Sequence, residues 1–165
     1  MNLSKTIGIC CAIALASSAI ADLIDIDPTR DNTLYENEFG DLSNGVGSFM
    51  FVGQSGNSDI RRAVIHFDVA AAVPAGSTVD RVSQNLNMSR TTSGTQAQSA
   101  HRLLADSGDA GSAAGGGEGG GEFSQPGDAT WIHGFFNTTP WLNDGGDYNP
   151  TASDIVNVAG LGLYT

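Results

Sequence analysis

Behind a short leader, the chain has no cysteine and no lysine. Cys10, Cys11 and Lys5 all fall within the first 21 of its 165 residues. A domain without cysteine has no disulfide framework, no thiolate zinc site and no cysteine nucleophile. With the leader removed, 6 Arg face 18 Asp and Glu, a formal charge of −12. That balance repels phosphate backbones and argues against a nucleic-acid partner. Past the leader, no apolar run reaches the roughly 20 residues of a membrane helix, so no membrane span is expected after cleavage. Periodic helices are also missing; what is there is strand signals, turns and glycine.

The leader reads as a signal peptide. Lys5 charges the n-region, Ile7 to Leu15 is apolar, and Ala19-Ile20-Ala21 has the small-x-small cleavage form, which places the mature N-terminus at Asp22. An uncleaved anchor would need a longer apolar stretch, and a lipoprotein would need a later cysteine after a small residue. The expected location is outside the cytoplasm, secreted or at the cell surface.

Along the mature chain, Asn32 to Glu36 and Ser48 to Gly53 read as strands, and Gln54 to Asp59 as a hairpin turn. In Arg61 to Val69, Ala63, Ile65, Phe67 and Val69 alternate with Arg62, Val64, His66 and Asp68, the period of a strand. Thr78 to Ser89 repeats the pattern with Val82, Gln84, Leu86 and Met88 on the inward face, although Gln84 is polar. Gln98 to Ala105, Ile155 to Val158 and Leu161 to Tyr164 are further strand candidates. Residues 108–127 hold nine glycines and almost no large apolar side chains, which predicts a flexible loop. Many short strands without βα alternation predict a single all-β domain over residues 22–165, a sandwich or barrel.

Residues Asp31 to Ser89 resemble the DNRLRE-domain family of secreted bacterial proteins, which includes carbohydrate-binding modules attached to some alginate lyases. The resemblance is carried by Thr33-Leu34-Tyr35-Glu36, Asn44-Gly45, Phe49 to Gly53, the Arg-led run Arg61 to Asp68, Val73 to Val79, and Val82 to Met88; Pro126 to Trp131 looks like the family's Thr-Trp stretch. Gln84 departs from the usual apolar residue, and Ser107 stands where many relatives carry Trp. The resemblance implies a jelly-roll-like β-sandwich and a non-catalytic role in binding extracellular polysaccharide or cell-surface matrix. The chain stops at Thr165, before the last strands of such a domain, so the expectation is a sandwich truncated at its C-terminus.

Trp131, His133, Trp141 and Tyr148 lie close in sequence, and their flat faces could stack on sugar rings; the competing reading is core and loop anchoring. Arg61 and Arg62 are the only paired cations of the mature chain. Arginine reads carboxylates through a bidentate fork, so an acidic polysaccharide such as alginate fits them; an edge guard or an internal ion pair is the plainer role. For a structural calcium the candidate ligands are Asp31, Glu36, Asp144 and Asp147, against a plain reading as solvated loop acids. No other cofactor is expected. The three histidines, His66, His101 and His133, are scattered, and no nucleophile-elbow, zincin or P-loop motif is present. An enzyme, including a fragment of a polysaccharide-degrading one, is therefore a minor alternative. A structural or adhesive matrix domain without a specific glycan is the main one.

Overall fold

Strand pairing begins where the sequence alternates most clearly. The structure, a computed structural model, describes residues 22–165, so the candidate signal peptide lies outside the described residues. Strand β1 (Arg30–Tyr35) pairs antiparallel with β4 (Ile60–His66), and β3 (Gly53–Gln54) joins the far edge of β4. The Gln54 to Asp59 hairpin turn is formed: Ser55 N donates to Asp59 O at 2.8 Å. The only helix among the described residues is one turn, α1 (Val69–Ala72), capped by Asp68, whose Oδ1 accepts from Ala71 N at 3.0 Å. It is far too short to cross a membrane.

The β1–β4 register decides which side chains meet. Asn32 faces Val64 and Leu34 faces Arg62, which puts these four on one side. Thr33 faces Ala63 and Tyr35 faces Arg61 on the other side. Both sides are covered. On the first, Leu34 and Val64 pack with Ala129, Trp131 and Trp141 to form the hydrophobic core, flanked by Ile60, Leu103 and Ile132. On the second, Tyr35 is fully buried, with the Phe51 ring 6.4 Å away and the Arg61 guanidinium 5.0 Å above its own ring. Burial pushes the Tyr35 hydroxyl pKa up to about 12, and that hydroxyl donates to Glu118 O at 2.9 Å.

The Gly-rich segment does not hang free as a loop. Its backbone is stitched to β1 and to β2 (Leu42–Ser43) by small polar side chains. Asn32 is the hub. Its Oδ1 accepts from Thr33 N at 2.8 Å and from Ser43 Oγ and Asn44 N at 3.0 Å, while its Nδ2 donates to Gly108 O at 3.0 Å. Asn44 extends the web: its Nδ2 donates to Glu118 Oε2 at 2.9 Å and its Oδ1 accepts from Ala114 N at 2.9 Å. Ser112 Oγ accepts from Gly45 N at 2.9 Å. A segment poor in apolar surface is thus ordered through its peptide groups, which need partners once buried. Its exit strand, β7 (Glu122–Phe123), pairs with β2.

The remaining strands form small ribbons. β5 (Leu86–Met88) pairs with β11 (Gly162–Tyr164), β6 (Gln96–Ala100) pairs with β10 (Asp154–Val158), and Leu103 bridges Tyr148. Segments 86–104 and 148–164 therefore run as one interrupted antiparallel ribbon. β8 (His133–Phe135) and β9 (Thr139–Pro140) make a bulged hairpin beside the core. The chain is all-β in character, but its sheets are small and do not close on one another. The expected strand at Thr78 to Ser89 is reduced to β5: Val82 is 83% exposed, because no facing element covers the row of apolar side chains.

Candidate functional site

The sequence candidates divide sharply in the structure. Trp131 and Trp141 are only 7% and 8% exposed and belong to the core. Trp141 Nε1 donates to Thr130 O at 2.9 Å, which satisfies the polar end of the buried indole. Neither can present a flat face to sugar, and the expectation of a Trp131/Trp141 platform is corrected accordingly. His133 is half-buried, 3.3 Å from Thr130 Oγ1 and edge-on to Phe136, so it serves its own hairpin. Arg61 is spent on the Tyr35 ring and on the carbonyls of Glu36 and Ile60, at 3.2 and 3.0 Å.

Arg62 and Tyr148 do come together. The Arg62 guanidinium lies 4.9 Å over the Trp131 ring and 5.1 Å over the Tyr148 ring, and its Nη1 donates to Gly145 O at 2.7 Å. It is held between two aromatic faces, where cation–π attraction fixes a planar cation. Arg62, Asn143, Asp144, Gly146, Tyr148 and Pro150 line an open cleft of about 360 Å³ beside it. The loop can lie this close only because of Gly145 and Gly146, with φ of +82° and +99°. A Cβ on Gly145 would stand 2.3 Å from Arg62 Nη1. Asn143, Gly146 and Pro150 line this cleft and Gly145 packs against Arg62, but nothing in their sequence separates them from an ordinary turn.

The loop is braced by Asp147. Its Oδ2 accepts from Leu142 N at 2.9 Å, and its Oδ1 from Asn143 N at 2.9 Å and Asn143 Nδ2 at 3.2 Å. The Leu142 amide, followed by the two bonds from Asn143, holds the Asp147 carboxyl below its usual range. The hydrogen bond from Asn44, followed by backbone N–H groups, does the same for Glu118. Folded-state pKa values below the unfolded ones make stability fullest above the ordinary carboxylate range and drain it as pH falls through the folded values. Asp31 works in the opposite sense, because burial and then the Asp109 charge raise its pKa. The expected result is a melting temperature that is flat from pH 7 to about pH 5 and falls below about pH 4. Glu118→Gln should flatten that fall, as read by circular dichroism melts across pH.

The four expected calcium ligands do not assemble. Asp147 is engaged as above, Glu36 Oε2 accepts from Ile60 N at 2.6 Å, Asp144 is exposed at the cleft, and Asp31 lies near Asp109. No three His, Cys, Asp or Glu side chains converge on a metal position among the described residues.

A second, larger cleft of about 550 Å³ is lined by Ile65, His66, Phe67, Leu103, Leu104 and Asp106, among others. Two of its polar side chains are tied to neighbours, His66 Nδ1 to Thr29 Oγ1 at 2.7 Å and Asp106 to Arg30 at 2.8 Å, and Arg102 also lines it. Compared with known proteins, the chain matches no family model, no curated protein and no solved structure.

Proposed function

We propose that this is a secreted, non-catalytic domain that binds extracellular polysaccharide at the Arg62–Tyr148 cleft, in the manner of a DNRLRE-type, jelly-roll-like module. The observation that carries the reading is the guanidinium held between Trp131 and Tyr148, with Nη1 committed to Gly145 O, at the lining of an open cleft. Tyr148 is 36% exposed and offers part of an aromatic ring for stacking. Asp144 lines the same cleft as Arg62, so the cleft offers an acceptor as well as a donor, the pairing that neighbouring sugar hydroxyls satisfy. Asp144, the commitment of Arg61 to Tyr35 and the formal charge of −12 behind the leader all weigh against an acidic chain such as alginate, so a neutral glycan is the favoured ligand. The non-catalytic reading is supported by the histidines, each bonded within its own neighbourhood: His66 to Thr29, His101 to Asn149 O and Ser99, His133 near Thr130.

Calorimetry with neutral oligosaccharides and with alginate oligomers tests this. Tyr148→Ala should weaken binding of a neutral oligosaccharide by roughly 5- to 150-fold, on the scale of aromatic stacking of about 1–3 kcal/mol, with little change in melting temperature. Asp144→Asn should shift preference toward alginate. Equal binding by Tyr148→Ala and the unaltered domain would remove the cleft from the mechanism.

A structural or adhesive role has its own supporting observation. The 86–104/148–164 ribbon exposes Ile155, Leu161 and Leu163 by 63–69% each, a row of apolar side chains without a cover. Self-association without glycan binding would favour that reading.

A further inference from the structure

We infer that Asn44–Gly45 is a spontaneous modification site: Asn44 deamidates when the Gly-rich segment opens, and the product cannot rebuild the web that holds the segment. Asn44–Gly45 is the only Asn-Gly pair in the chain. In such a pair the glycine amide nitrogen can attack the asparagine side-chain carbonyl, because no Cβ on the next residue stands in the way. A bond from Gly45 N to Asn44 Cγ forms, the bond from Cγ to Nδ2 breaks, and ammonia leaves with the proton of the amide nitrogen. Water then opens the resulting succinimide at either carbonyl, leaving aspartate or its β-linked isomer.

The fold itself calls for this labile pair. A Cβ on Gly45 would lie 2.3 Å from Asp128 Oδ1 and 2.9 Å from the carbonyl carbon of Asp109, so packing requires glycine there. Asn44 is 2% exposed, and an amide is needed because it both gives and accepts: Nδ2 donates to Phe49 O at 3.1 Å and to Glu118 Oε2 at 2.9 Å, while Oδ1 accepts from Ala114 N at 2.9 Å. The same bonds protect the pair in the folded domain. Gly45 N is committed to Ser112 Oγ at 2.9 Å, Asn44 N to Asn32 Oδ1 at 3.0 Å and Val46 N to Ser112 O at 2.9 Å. Attack on Cγ therefore waits until residues 112–118 let go. A segment held by its peptide groups and few apolar contacts opens before the rest of a domain. After reaction, the product carboxylate has no N–H for Phe49 O or Glu118 Oε2, and it faces the Glu118 carboxylate as a like charge. The β-linked isomer also lengthens the backbone between positions 44 and 45. The inference is separate from the glycan cleft and does not rest on it.

The test is peptide mass spectrometry of the 22–165 chain aged at one pH and temperature, in buffer and in urea above its unfolding midpoint, with the gain of one mass unit at each asparagine followed over time. In urea, Asn44 should react before the exposed Asn87 and Asn137. In buffer its rate should be at least about 100-fold lower than in urea, the suppression expected when reaction waits on opening, and Ser112→Ala, which releases Gly45 N, should raise it several-fold. Asn44→Asp, which reproduces one product, should melt lower by roughly 5–10 °C. The kinetic comparison uses the unaltered chain and stands whether or not Asn44→Asp folds. A smaller ratio between urea and buffer, a Ser112→Ala rate equal to that of the unaltered chain, or an Asn44→Asp domain that melts with the unaltered one overturns the inference.

Discussion

Replacing Asn32 with leucine should cost about 3–5 kcal/mol, enough to unfold a large share of the molecules in a domain of ordinary stability. The side chain is 1% exposed and makes bonds in four directions, to Thr33, Ser43, Asn44 and Gly108. Leucine has nearly the same volume but removes both the acceptor and the donor. Ser43 Oγ and Asn44 N then lie buried without their partner, at roughly 1–3 kcal/mol each. The loss should appear as a lower urea midpoint and as greater proteolysis within residues 108–121, whose anchor is gone. Asn87→Leu on the exposed ribbon is the control and should change stability by no more than about 0.5 kcal/mol. A folded Asn32→Leu domain with an unchanged urea midpoint would show that the polar hub does not hold the Gly-rich segment.

Trp131→Ala should be nearly as damaging, at about 3–5 kcal/mol, the scale of emptying a buried indole site. The indole packs with Leu34, Val64, Ala129 and Trp141 and also supports the Arg62 guanidinium. Truncation therefore opens a cavity and removes one of the two faces that position Arg62, so glycan binding should fail along with stability. Thermal melts separate this from a surface role, since a sugar-stacking tryptophan would lose binding at constant melting temperature.

The contrast between these residues explains how far the sequence could be read. Alternation in Arg61 to Val69 found β4 as far as His66, with Phe67 to Val69 leaving the strand for α1, and Gln54 to Asp59 found its hairpin, because both signals are local. The same alternation placed a long strand at 78–89, where the apolar residues find no partner. Alternation reports capacity for burial, and only a facing element realises it. Trp131, Trp141 and Tyr148 look alike in sequence. Two become core and one lines a cleft according to what Leu34 and Val64, distant in the chain, bring against them. The Gly-rich segment lacks apolar side chains, and its partners are Asn32, Asn44 and Tyr35, residues whose capacity for backbone bonding leaves no periodic trace. Tyr148 was singled out by residue type as a sugar-stacking candidate, and Asp144 only as a calcium ligand. The Gly145–Gly146 turn that lets their loop lie against Arg62 was not, since glycine pairs mark turns of every kind.

The most direct test of glycan recognition is an NMR titration of the 22–165 chain with a panel of neutral oligosaccharides, with amide shifts followed residue by residue. Binding at the proposed cleft predicts saturable shifts confined to Arg62 and the 143–150 loop, and their loss in Tyr148→Ala. No shift with any neutral oligosaccharide at tens of millimolar, or saturable shifts that leave Arg62 and the 143–150 loop unmoved, would contradict it.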